Sequence, residues 1–134
     1  MKKTNDTLAM ISVRNMCIAR EYDKALEFIE NNIPEQNYTE EVFLYKVLCM
    51  LLSESNKHSF RKMESLLKKA NRLYPKSHAI LFELGKFYHV IMDDAVKAFP
   101  YFLASREKLS ALLSETDEAI IDCLNEVNER KCQK

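Results

Sequence analysis

Turn-forming residues are scarce in this sequence. Its 134 residues include one glycine, three prolines and no tryptophan. An all-β domain needs glycine, proline and similar residues in its many tight turns, so this scarcity favours helices joined by short polar loops. Hydrophobic residues make up 47% of the chain and charged residues 30%, which is typical of one folded domain and excludes a disordered tail.

The chain also lacks an excess of charge of either sign and a long apolar run. Its 20 basic and 20 acidic residues balance, so global charge disfavours a nucleic-acid partner. The longest apolar run, residues 42–52, is interrupted by Lys46 and is too short to span a bilayer. No apolar segment of secretory length precedes Arg14, so we expect a cytoplasmic protein without a membrane span.

Recognisable catalytic and metal-binding patterns are absent as well. The three histidines are scattered, and the sequence has no HExxH motif, no CxxC pair and no glycine-rich phosphate loop. We therefore expect no enzyme activity, no metal and no cofactor. The cysteines are predicted to be reduced and mostly buried thiols, with oxidised pairs of a secreted domain as the alternative. They are Cys17, Cys49, Cys123 and Cys132.

Apolar residues recur at helical spacing almost throughout the chain. Pro34 and Pro75 each end a helix, because the residue before a proline is pushed out of helical geometry. Thr39, Ser77 and Ser114 are suitable N-caps for the helices that follow. The sequence thus predicts about seven helices: pairs over residues 8–34, 39–75 and 77–112, and a last single helix over 114–131.

Two details of these helices follow from the pattern. In the first helix, Leu8, Ile11, Met16 and Ile18 are the predicted inward positions. Pro100 lies inside the sixth helix and is expected to bend it or loosen its first turns.

The predicted pairs resemble tetratricopeptide repeats. The segments 22–28 and 94–102 are similar to the start of a second repeat helix, and Leu81, Leu84, Gly85 and Tyr88 match a first-helix signature. The third pair has one extra residue between Tyr88 and the following Ala98. The resemblance implies one all-α domain over 1–134, a right-handed stack of three antiparallel hairpins with a C-terminal capping helix.

First helices of such stacks line a concave groove that holds a peptide or a helix. By register, the resemblance predicts groove positions at Arg14, Tyr45, Phe82, Lys86 and His89. Their basic and aromatic character suits a ligand with an apolar anchor and a carboxylate. Four further positions are also candidates, although core packing is the favoured interpretation for Cys17 and Leu48: Met10, Cys17, Leu48 and Leu52.

Two charged faces are the remaining features. The helix over 59–76 carries six cations, which suit an acidic partner, an RNA backbone, an anionic membrane or simply solvent. The last helix is acidic on one face and carries an apolar stripe, Ile120, Leu124 and Val127, on another. It either caps the stack or engages a partner helix or a second copy. The cations are Arg61, Lys62, Lys68, Lys69, Arg72 and Lys76.

These observations predict a non-enzymatic protein–protein interaction module, an adaptor or a small chaperone. The alternatives are a structural subunit of a larger complex and a nucleic-acid-associated regulator that uses the basic helix 59–76. Salt dependence separates the regulator from the other two, since phosphate contacts weaken steeply with salt.

Overall fold

The computed structural model describes residues 2–55 and 58–132, with side chains described from residue 7 onward. Within these ranges the protein is all-helical, as predicted, and contains no strand. A 3-10 turn, Glu35–Asn37, joins the second and third helices, and a π-helical turn, Phe87–Ile91, extends the fifth. The α-helices are α1 (Lys2–Ile18), α2 (Tyr22–Asn32), α3 (Glu40–Leu52), α4 (Phe60–Leu73), α5 (His78–Lys86) and α6 (Ala95–Cys132).

Local sequence signals fix where several helices begin. The hydroxyl oxygens of Thr39, Ser59 and Ser77 each accept a hydrogen bond from the backbone N–H three residues later. Each hydroxyl thereby satisfies one of the backbone donors that a helix start leaves free. The N-caps predicted at Thr39 and Ser77 are confirmed.

The scarcity of glycine has a visible consequence at the end of α1. Arg20 adopts a positive φ of 61°, where glycine is usual. The backbone N–H of Arg20 donates to the Cys17 carbonyl and that of Glu21 to the Met16 carbonyl, which is the pattern of a Schellman motif. Asp93, before α6, also has a positive φ, 51°. Arg20 and Asp93 therefore each have a backbone conformation that is sterically unfavourable for a residue with a side chain but not for glycine.

Consecutive helices pack against one another, and α1, α3 and α5 also contact each other in turn. The core lies between the packed helices and includes fully buried Phe43, Leu67 and Leu84. This packing places α1, α3 and α5 side by side, so one surface of the protein is formed by these three helices.

The predicted inward face of α1 is wrong at three of its four residues, whereas Met16 packs against the core as predicted. Met10 and Val13 are buried, whereas Leu8, Ile11 and Ile18 are exposed. The helix carries apolar residues on two sides, so its periodicity is compatible with either orientation. Contact with α2 and α3 selects the side that carries Val13.

The single glycine lies where α5 and α6 approach each other. A Cβ atom at Gly85 would lie 2.6 Å from Cε1 of Phe102, so the ring occupies the space that a side chain would need. One turn later, the Met92 N–H donates to the Phe87 carbonyl across the π-helical turn. Such a turn accommodates one additional residue in a helix, which accounts for the extra residue noticed in the third pair.

The predicted boundary between a sixth and a seventh helix is wrong. Residues 95–132 form one continuous helix of 38 residues, which runs through Pro100. Ser114 does not cap a new helix, because neither glycine nor proline interrupts the helix-favouring residues around it. The capping role is also wrong for the described residues, since residues 109–132 are exposed and do not fold back on the stack.

Candidate partner-binding groove

A largely apolar groove lies between α3, α5 and α6. Its cavity has a volume of about 610 Å³. Three helices contribute its walls, and the charged groups among them, Glu41 and Glu83, are carboxylates. The apolar and aromatic lining residues are Leu44, Tyr45, Leu48, Ala79, Phe82 and Leu109.

A second cavity, also of about 610 Å³, continues this surface towards α1. It is lined by Met10 and Arg14 of α1 and by Tyr74. Glu41 and Leu44 line both cavities, so the two form one surface that runs from α1 across α3 to α5 and α6.

Arg14 lies at the junction of the two cavities and is paired. Its Nε donates to Oε1 of Glu41 at 2.6 Å, and its Nη2 donates to Oε2 at 2.7 Å. The hydrogen bond to Glu41 raises the pKa of Arg14 above its ordinary value. A bidentate pair of this kind is among the strongest polar contacts in proteins. Arg14 therefore does not present an unpaired cation to a ligand.

Tyr45 and Phe82 both line the groove, as predicted. Phe82 is 47% exposed, and its ring centroid lies 5.6 Å from that of Phe102. Tyr45 is half-buried against the core. A half-exposed aromatic ring supported by a second ring offers a rigid apolar contact at low entropic cost.

Lys86 and His89 lie outside the lining of this groove. Lys86 Nζ is 2.8 Å from a carboxylate oxygen of Glu83 and 5.3 Å from the Phe82 ring centroid. His89 is exposed, with its ring 6.2 Å from that of Phe102. Lys86 and His89 thus lie beside the Phe82–Phe102 pair and outside the groove lining.

Sequence reasoning missed the contribution of α6 to the groove. Ser105 is 3% exposed, and its hydroxyl donates to the His78 carbonyl at 2.8 Å. This bond joins the middle of α6 to the start of α5, and Leu109 follows one turn later in the groove wall. The periodicity of α6 indicates that these residues share a face, but not which cavity that face borders.

Sequence reasoning also missed the two carboxylates, Glu41 and Glu83. Glu41 lies in the first turn of α3, where its charge suits the positive end of the helix. Its partner is 27 residues away in the chain. No local pattern signals a pair between two helices so distant in sequence.

The basic face of α4 is partly neutralised. Lys69 Nζ lies 2.6 Å from Glu35, which lowers the pKa of that carboxyl, and Lys68 Nζ lies 3.4 Å from Glu64. The other four cations form no ion pair with any residue in the described ranges. They are Arg61, Lys62, Arg72 and Lys76.

The cysteines divide into two groups. Cys49 is buried, which raises its pKa to about 12, and its Sγ lies 3.5 Å from Sγ of half-buried Cys17. Cys123 and Cys132 are exposed free thiols, so the prediction of mostly buried thiols is wrong for these two. Their helix leaves the bundle, and nothing covers it within the described part of the chain.

Within residues 2–55 and 58–132, no group of three or more metal-ligating side chains comes together. No helix in the same ranges is both long and apolar enough to cross a membrane.

The chain matches no family model, no curated protein and no solved structure.

Proposed function

We propose that this protein is a non-enzymatic, cytoplasmic interaction module, an adaptor or small chaperone, that holds a peptide or helix of a partner protein in the groove between α3, α5 and α6. The observation that carries the proposal is the apolar cavity of about 610 Å³ with Tyr45 and Phe82 in its walls. Concave, mostly apolar surfaces with exposed aromatic residues are typical binding sites. The proposal includes a tetratricopeptide-like stack of hairpins, in which α1, α3 and α5 are the first helices.

The charges of the groove define the ligand further. Arg14 is held by Glu41 and Lys86 by Glu83, so both the cations and the carboxylates at the groove are already paired. A partner segment that binds mainly through an apolar anchor therefore fits this arrangement better than one that is recognised by its charge. The carboxylate ligand suggested by the sequence would first have to displace Glu41 from its bidentate pair with Arg14.

Site-specific photo-crosslinking tests the proposal. A benzophenone amino acid replaces either Phe82 in the groove or Phe99, which is 62% exposed and absent from the groove lining. We expect one protein to crosslink at position 82 and not at position 99. A synthetic peptide covering the crosslinked segment should then bind the purified protein, and the Tyr45→Ala/Leu48→Ser variant should weaken that binding at least about tenfold. Equal crosslinking at both positions would contradict the groove assignment.

Three unpaired cations on α4 and Lys76 in the turn after it favour a second candidate, a regulator that binds nucleic acid through its basic helix. Each phosphate contact contributes to a linear fall of log affinity with log salt, with a slope of about −0.7 to −0.9 per contact. A fluorescent RNA that binds with a slope near −3 and loses affinity in an Arg61→Glu/Arg72→Glu variant would support this function. An RNA that does not bind at low salt excludes it.

A further inference from the structure

The exposed half of α6 carries an apolar stripe without a partner in the described chain. Residues 111–132 extend about 33 Å at 1.5 Å per residue. Every residue in this stretch is exposed, and its large apolar side chains are between 48% and 64% exposed. A contiguous surface of this kind marks an interaction site. The side chains are Leu112, Leu113, Ile120, Ile121, Leu124 and Val127.

One seam along this exposed surface has heptad spacing. Leu109, Leu113, Thr116, Ile120, Cys123 and Val127 are separated alternately by four and three residues. This is the spacing of the core positions of a coiled coil, and it keeps one seam of a helix facing another helix. Six residues around this seam already line a shallow apolar depression of about 340 Å³.

The acidic residues of the helix lie away from the seam. At 100° per residue, five of its six acids fall within an arc of about 80° opposite Ile120. Asp117 is the exception and borders the seam on one side. On the same side, two heptads further on, the border position is the basic Lys131. The five acids on the opposite arc are Glu115, Glu118, Asp122, Glu126 and Glu129.

We propose that this stripe binds the same stripe of a second copy of the chain in antiparallel orientation. The inference goes beyond the proposed function and does not depend on it. With the two-fold axis between residues 121 and 122, Ile120 lies opposite Cys123 of the second copy, and Thr116 lies opposite Val127. Ile120 and Val127, which the single chain exposes, are then buried in alternating layers with Cys123 and Thr116 of the second copy.

Charge complementarity selects this partner and this register. Asp117 and Lys131 occupy equivalent border positions two heptads apart. In the antiparallel register, Asp117 of one copy and Lys131 of the other lie about 7.5 Å apart along the axis. Helical side chains lean towards the N-terminus of their own helix, so these two side chains lean towards each other. Because the dimer is two-fold symmetric, the pair between Asp117 of one copy and Lys131 of the other occurs twice. The acids on the opposite arc point away from the second copy into solvent.

The orientation also decides where the two bundles lie. In the antiparallel register they lie at opposite ends of the coiled coil, whereas a parallel pair would bring both bundles to the same end.

Oligomeric state is the first test, with a matched pair of variants. Ile120 and Ile121 are 53% and 55% exposed, but Ile121 points about 100° away from Ile120. We expect the wild type to sediment as a dimer and Ile120→Asp to weaken the dimer at least about a hundredfold, because two carboxylates enter the seam. Ile121→Asp should remain dimeric. A monomeric wild type, or equal losses in both variants, overturns the proposal.

The distance between copies tests the orientation. Spin labels on Cys132, in a Cys17→Ser/Cys123→Ala background, should lie about 35 Å apart in the antiparallel dimer and about 20 Å apart in a parallel one. Cys49 is buried and should not be labelled. The shorter distance overturns the antiparallel register.

A charge swap tests the residue pairing. Asp117→Lys and Lys131→Asp should each weaken the dimer about three- to tenfold, and the double variant should restore it. Glu118→Lys makes the same charge change as Asp117→Lys on the solvent side and serves as the control. Single-variant losses that the double variant does not restore contradict the pairing.

The dimer and the peptide-binding groove can be tested independently of each other. Tyr45 and Phe82 lie on α3 and α5, so a failure of dimerisation in Ile120→Asp leaves peptide binding measurable in the resulting monomer. The Tyr45→Ala/Leu48→Ser variant, which should lose peptide binding, should likewise still sediment as a dimer.

Discussion

The replacement Gly85→Ala gives a sharp test of how α5 and α6 pack. Alanine in a helix interior is favoured over glycine by about 1 kcal/mol, so local propensity alone predicts a more stable protein. The new Cβ would lie 2.6, 2.7 and 2.9 Å from Cε1, Cδ1 and Cζ of Phe102. Contacts this short force the ring or the helix to move.

The cost of that movement exceeds the gain. Adding a methyl group to a well-packed site typically costs about 1–3 kcal/mol. The Phe102 ring also packs on Phe82, at 5.6 Å, and near His89, at 6.2 Å, and an aromatic pair contributes about 0.5–1.5 kcal/mol. We therefore expect Gly85→Ala to lower the free energy of unfolding by about 1 kcal/mol, measured by urea denaturation followed by circular dichroism.

The Phe102→Ala background supplies the control. It removes the obstructing ring, so Gly85→Ala should there raise the free energy of unfolding by about 1 kcal/mol, its helix-propensity gain. The coupling between the two positions is then about 2 kcal/mol in a double-mutant cycle. A stabilising Gly85→Ala in the wild-type background would refute the reasoning. Displacement of Phe102 should also shift Phe82 and weaken binding of a groove ligand.

Three further predictions concern single sites. Arg20→Gly should stabilise the protein by about 0.5 kcal/mol in urea denaturation, since glycine relieves the positive φ but adds freedom to the unfolded chain; a loss of stability would contradict this. The hydroxyl of Ser53 donates to Asp23 and lowers the pKa of its carboxyl, so this stabilisation is present above the ordinary aspartate pKa of about 4 and is lost as pH falls through the lowered value. Asp23→Asn should therefore reduce the decrease in the free energy of unfolding as the pH is lowered. An unchanged pH dependence in this variant would exclude a stabilising role of the Asp23 carboxylate. Cys132 should react with a disulfide reagent much faster than Cys49, whose burial raises its pKa to about 12; similar rates would show that Cys49 is accessible.

Several features of the fold were predictable from the sequence because their causes are local. The poverty of turn residues predicts the all-helical class. Pro34 and Pro75 stop α2 and α4, and Thr39 and Ser77 start α3 and α5, through bonds and steric limits that act within four residues. Tyr45 and Phe82, two of the predicted groove positions, line one cavity in the structure.

Other features depend on contacts between distant segments. The orientation of α1, the pairing of Arg14 with Glu41 and the placement of Leu109 in the groove are set by neighbouring helices. The helix α6 shows the same limit, because Ser114 suits either a cap or a helix interior. The sequence by itself determined where most helices start and stop, since those signals are local. Only the tertiary structure decided which faces meet, because an amphipathic pattern does not identify its partner.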